Sequence, residues 1–144
     1  MEWDAVDLRY GEHKIEVEAS AYCQSWHQKR PSTITFRIGK ARAWSSRTGE
    51  YYTGPTRLAD IHVFCLHTQR DKAMARSNVL DPSTWEFFVV STKRFDQAFA
   101  DRKTISLGSV QRVGASCGYA ELKARVDEIL RALLADAQTE TSGN

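Results

Sequence analysis

"VDLRYGEHKIEVEAS", residues 6–20, decides how the rest of the chain is read. Gly11-Glu12 suits a two-residue hairpin loop, with glycine supplying the first, positive-φ position. In that register Leu8 faces Ile15, Val6 faces Val17, Ala5 faces Glu18 and Asp7 faces Glu16. Side chains alternate between faces along a strand. One face is then apolar (Val6, Leu8, Ile15, Val17). The other carries Asp7, Glu16 and Glu18, flanked by Arg9 and Lys14. Like charges directly opposite one another destabilise a sheet. Two readings follow. The acids form a solvated face screened by Arg9 and Lys14, or they hold a hard divalent cation such as Mg²⁺, which takes carboxylate oxygens and keeps several waters.

Outward from the hairpin, "STITFRI" (32–38) alternates and reads as a third strand. "DIHVFCL" (60–66) and "WEFFVV" (85–90) are nearly continuous apolar runs and read as central strands covered on both faces. "TKRFDQAFA" (92–100) suits a short helix and "TISL" (104–107) a short strand. Residues 119–135 read as the clearest helix. Leu122, Val126, Ile129, Leu130, Leu133 and Leu134 fall at helical spacing, with Gly118 just before them. Residues 69–84 read as a polar connection broken by Pro82, and 137–144 as a frayed polar tail. The expected architecture is α+β with a mixed sheet and an α/β-type core, in a single domain over residues 1–136.

Charge is distributed unevenly. The 144 residues carry a net +2, 42% hydrophobic and 26% charged, which is ordinary globular composition. Residues 1–20 hold six acids against Arg9 and Lys14, whereas residues 29–57 hold seven cations against Glu50 alone. Within that basic segment, 39–58 reads as a long loop or irregular hairpin containing Trp44, Tyr51 and Tyr52. Lys29, Arg30, Arg37, Lys40, Arg42 and Arg47 suit phosphate contact, and Trp44 suits stacking on an unpaired base. The bland alternative is a solvated loop with its aromatics tucked onto the core.

The spacing Asp7-x8-Glu16-x-Glu18 resembles the D…(D/E)-x-K signature of the PD-(D/E)XK, or restriction-endonuclease-like, nuclease superfamily. The run "KIEVEASAYCQSWHQ…STITFRI" is similar to a bacterial group of that superfamily in which "IEVK" is followed by "QSW". The likeness continues into "DIHVFCL" and "WEFFVV" and spans residues 3 to about 130. The resemblance implies a restriction-endonuclease-like sheet with flanking helices and hydrolysis of DNA phosphodiesters. It implies Mg²⁺ or Mn²⁺ held by Asp7 and Glu16. It places Glu18 where the signature has a lysine, as a further ligand or general base, with Lys14 as a partial substitute for the missing charge. Gln24 resembles the glutamine often found downstream. The family's core opens with a helix, whereas here Met1-Glu2-Trp3 leads straight into the first strand. A shortened form, or cover from another element or subunit such as a homodimer partner, would account for that. The competing reading is an inactive relative that binds DNA or a protein.

Other chemistries find less support. Cys23, Cys65 and Cys117 are odd in number and form no C-x-x-C, so neither a disulfide framework nor a zinc knuckle is indicated. With no signal peptide and no apolar run near membrane-spanning length, a reducing, cytoplasmic setting and no membrane partner are expected. His13, His27, His62 and His67 form no zinc motif, and His62 reads as a satisfied core or edge residue. No glycine-rich phosphate loop and no nucleophile elbow are present.

Overall fold

A computed structural model describes residues 8–40, 44–45, 50–51 and 57–143. The fold is α+β. In chain order the elements are β1 (Leu8–Tyr10), β2 (His13–Ala21), β3 (Thr35–Arg37), β4 (Trp44–Ser45), β5 (Glu50–Tyr51), β6 (Ile61–His67), α1 (Lys72–Asn78), β7 (Trp85–Ser91), α2 (Thr92–Phe99), β8 (Thr104–Ser106), α3 (Leu107–Val113), β9 (Ser116–Cys117) and α4 (Tyr119–Ser142). Five strands form a mixed sheet in the order β1-β2-β6-β7-β9. β2 and β6 run parallel, and the other neighbours are antiparallel.

The hairpin takes the register its sequence sets. Leu8 pairs with Ile15, Arg9 with Lys14 and Tyr10 with His13, around Gly11 at φ +61°. No other described residue has positive φ, which matches a turn whose first central position alone needs glycine. Gly114 is required for a different reason. A Cβ there would stand 2.9 Å from Val90 Cγ2 and 3.4 Å from the Val89 carbonyl oxygen, so the chain leaving α3 passes close against β7.

Alternation along β2, β6 and β7 splits the core in two. Ile15, Ile61, Val63, Phe87 and Val89 are buried on one face against Val126 and Leu130 of α4. Phe64, Leu66, Phe88 and Val90 are buried on the other, beneath Phe95 of α2, Val110 of α3, and Ile34, Phe36, Ile38 and Ile105. The last four come from the β3–β8 ribbon and its approach, where Phe36 pairs with Ile105. The alternation expected over 32–38 thus holds, although only Thr35–Arg37 pair as a strand.

Two short helices differ from the sequence expectation. α1 lies inside the stretch read as a polar connection, and α3 begins where the strand 104–107 was expected to end. Each is started by a side-chain cap: Asp71 accepts from the Met74 amide at 3.0 Å, and Ser106 accepts from the Ser109 amide at 3.2 Å. α4 continues to Ser142, past the tail boundary placed after residue 136. No Gly or Pro interrupts 137–142, and Thr139, Thr141 and Ser142 return their hydroxyls to carbonyls of the preceding turn.

Candidate functional site

Glu16 and Glu18 stand on β2 beside His62 and Phe64 of β6, their partners in the parallel register. Paired residues share a face, so both acids emerge on the side of the sheet that carries Phe64 and away from α4. Both are half-buried. They line a cleft of about 680 Å³ together with His62, Arg37, Ile38, Gly39, Lys40, Arg57, Leu58, Ala59, Asp101, Arg102, Lys103 and Thr104. The carboxylates therefore sit where the apolar cover over this face gives way to a polar hollow.

The rim is built by the β3–β8 ribbon. Phe36 and Ile105 point into the core, so their neighbours Arg37 and Thr104 point out. The Ile38 amide donates to the Lys103 carbonyl at 2.9 Å and extends this pairing by one residue on each strand. Arg37, Lys40, Arg102 and Lys103 are exposed. Lys40 lies 3.4 Å from Asp101 in a solvent-facing ion pair, which holds it weakly.

Arg57 braces this rim from within. Its side chain is 1% exposed. The guanidinium donates to Asp96 Oδ1 at 2.6 Å and to the carbonyls of Ile38, Phe99 and Arg102 at 2.7, 3.1 and 3.0 Å. One side chain thus fastens the ribbon to the end of α2. It is not available to a phosphate, although its charge contributes to the basic count of residues 29–57.

His62 departs from the reading as a satisfied core histidine. It is 4% exposed, and neither Nδ1 nor Nε2 has a hydrogen-bond partner. Burial, and secondarily the Arg57 charge, push its pKa down to about 4 against a smaller opposing pull from Asp96. His67 on the same strand is equally buried, but its Nε2 lies 3.1 Å from Asn78 Oδ1 and its ring stacks on Trp85.

The remaining sequence candidates divide cleanly. Lys14 shares the acids' face but does not line the cleft, and its backbone amide is held by Asp60 Oδ2 at 2.8 Å. Gln24 is not brought to the site. The chain turns after Ala21, and Gln24 Nε2 donates back to the Ala21 carbonyl at 2.9 Å while its amide donates to Gln28 Oε1. Lys29 and Arg30 are exposed in that loop, away from the cleft lining. Asp7, Arg42 and Arg47 lie outside the described residues, and of Trp44 only the strand pairing with Tyr51 is described. Arg102 and Lys103 escaped sequence reasoning because only the β3–β8 pairing brings them beside residues 37–40. Burial raises the Cys65 thiol to about 11, consistent with a packing role.

Glu16, Glu18 and His62 are donors this cleft offers a cation, two hard carboxylates and an imidazole without a hydrogen-bond partner, while the rim carboxylate Asp101 is paired with Lys40. Among the described residues, no three His, Cys, Asp or Glu side chains converge on one point. No described helix is long and apolar enough to cross a membrane. No protein-family model, curated protein or solved structure matches the chain significantly.

Proposed function

We propose that this chain is a divalent-metal-dependent DNA nuclease of the restriction-endonuclease-like type, with Glu16 and Glu18 as its described carboxylates and Asp7 as the first acid of the signature. The observation that carries this reading is the cleft itself, in which both acids of the E-x-E pair lie beneath a rim of four exposed cations. Acids alone would repel a phosphodiester. Arg37, Lys40, Arg102 and Lys103 offset that repulsion and can fix a backbone phosphate over the carboxylates. Lys40 and Lys103 also bring to this cleft the positive charge that Glu18 removes from the signature. When bound, Mg²⁺ or Mn²⁺ supplies a low-pKa water and stabilises charge on the phosphate. The three free thiols, Cys23, Cys65 and Cys117, support a reducing, cytoplasmic setting. A homodimer on DNA would set one such cleft against each strand of a duplex.

A second reading, a DNA-binding module without hydrolysis, is favoured by Glu18 standing at the lysine position. One assay separates the two. The purified chain is incubated with plasmid and oligonucleotide DNA in Mg²⁺ or Mn²⁺, beside Glu16→Ala, Glu18→Ala and a variant neutralised at Arg37, Lys40, Arg102 and Lys103. Cleavage lost in both acid variants supports the nuclease. Inert wild type that binds DNA, with a salt dependence flattened in the neutralised variant, supports the binding module. Cleavage that survives both acid substitutions overturns the site.

A further inference from the structure

We infer that His62 is a nitrogen ligand of this cleft, giving the site a preference for first-row transition ions such as Mn²⁺ or Co²⁺ over Mg²⁺. The inference rests on the reading of the cleft as a metal site and deepens it by naming the class of ion.

The first ground is the unpartnered ring. Burying polar atoms without hydrogen bonds costs about 1–3 kcal/mol. The aromatic packing around His62 does not need those nitrogens. Its ring lies parallel to Phe64 at 6.0 Å and edge-on to Phe95 at 5.1 Å, contacts a phenylalanine would make without the penalty. His67, a few residues on, shows how this fold treats a histidine used for packing: its ring nitrogen is partnered.

The second ground is position. His62 lines the cleft and is the register partner of Glu16. Neighbouring strands lie about 4.8 Å apart, so a carboxylate and an imidazole rooted there can reach one ion at bond lengths of about 2.0–2.2 Å. The nearby Arg57 charge opposes a cation, but the Asp96 carboxylate 2.6 Å away offsets it. With no third side chain converging among the described residues, the remaining coordination positions fall to water and phosphate oxygens. Imidazole is a good ligand for first-row transition ions, whereas Mg²⁺ favours oxygen and its own waters.

The test is Mn²⁺ binding to the full chain, followed by loss of the free-ion electron paramagnetic resonance signal, with Mg²⁺ as competitor. Pulsed measurements read the coupling of bound Mn²⁺ to ¹⁴N. Wild type is expected to favour Mn²⁺ by about tenfold or more and to show nitrogen coupling that persists in His13→Ala and His27→Ala. His62→Phe should lose both the coupling and the preference, while Mg²⁺ affinity stays within about twofold. Should His62→Phe fail to fold, the wild-type coupling and its persistence in those two variants and in His67→Ala still decide. Glu16-dependent Mn²⁺ binding without nitrogen coupling, or with coupling unchanged in a folded His62→Phe, overturns the assignment of His62 and leaves the metal cleft standing. Absence of any divalent-ion binding at millimolar concentration overturns both.

Discussion

Ile15 and Glu16 are adjacent in sequence and belong to opposite faces of one sheet. On the face of Ile15, the strands are sealed by α4 through Val126 and Leu130. On the face of Glu16, Phe64, Leu66, Phe88 and Val90 are sealed beneath α2, α3 and the β3–β8 ribbon, but beside Glu16 and Glu18 that cover leaves a cleft. There the same alternation that builds a core displays Glu16 and Glu18 in a cleft. A single strand thus contributes to both the core and the candidate site, and packing on the closed face fixes the geometry of the open one.

The comparison predicts unequal responses to substitution. Phe64→Ala and Ile61→Ala, on opposite faces of β6, should cost about 3–5 and about 2–5 kcal/mol in urea unfolding, since both side chains are fully buried. A loss below about 1 kcal/mol at either position would break the picture of two cores.

The next effect is acid lability through His62, whose buried ring feels the Arg57 and Asp96 charges and whose strand partner is Glu16. Its pKa falls from 6.5 in the unfolded chain to about 4 in the fold. The native state therefore keeps its full stability from this group above pH 6.5 and loses it as pH falls towards 4. The loss reaches about 3 kcal/mol in metal-free buffer. His62→Phe should flatten that part of the stability–pH profile. Identical profiles for wild type and His62→Phe would show that the ring carries no such burden.

Glu18→Gln should have the smallest effect on stability. The side chain is half-buried, and its replacement should shift metal-free stability by less than about 1 kcal/mol. The same change should remove cleavage. A large stability loss would make Glu18 a structural residue and blur the contrast between the faces.

Much of this was legible in the sequence. The hairpin register follows from Gly11-Glu12 and the alternation around it, because a two-residue loop leaves the strands little choice. β6 and β7 were visible as apolar runs, since a strand buried on both faces has no polar phase. α1 and α3 were not visible because each buries little, Ala75 in one and Ser109 with Val110 in the other, and each depends on one capping side chain. Of the cleft, the acids were legible and half the rim was not. Arg37 and Lys40 lie in a conspicuous basic segment, whereas Arg102 and Lys103 join them only through a pairing between residues far apart in the chain. Gln24 was eligible only through its likeness to a downstream glutamine, and the turn after Ala21 keeps it from the acids. His62 hid within an apolar run, where only its lack of a partner sets it apart.

The parallel pairing of β2 with β6 has a consequence for the order in which the molecule assembles. Ile15 meets Ile61 across a long intervening stretch, so a large loop must close before that contact is gained. β6 and β7 are joined by a much shorter path and bring their own apolar cover with α2 and α3. In refolding, amides of β6 and β7 are expected to gain hydrogen-exchange protection before those of β2, and simultaneous protection would rule this order out. Glu16 and Glu18 ride on the late strand. A chain interrupted before β2 docks would hold much of its hydrophobic interior and none of its carboxylate wall, so on this order the candidate site forms after the interior it rests on.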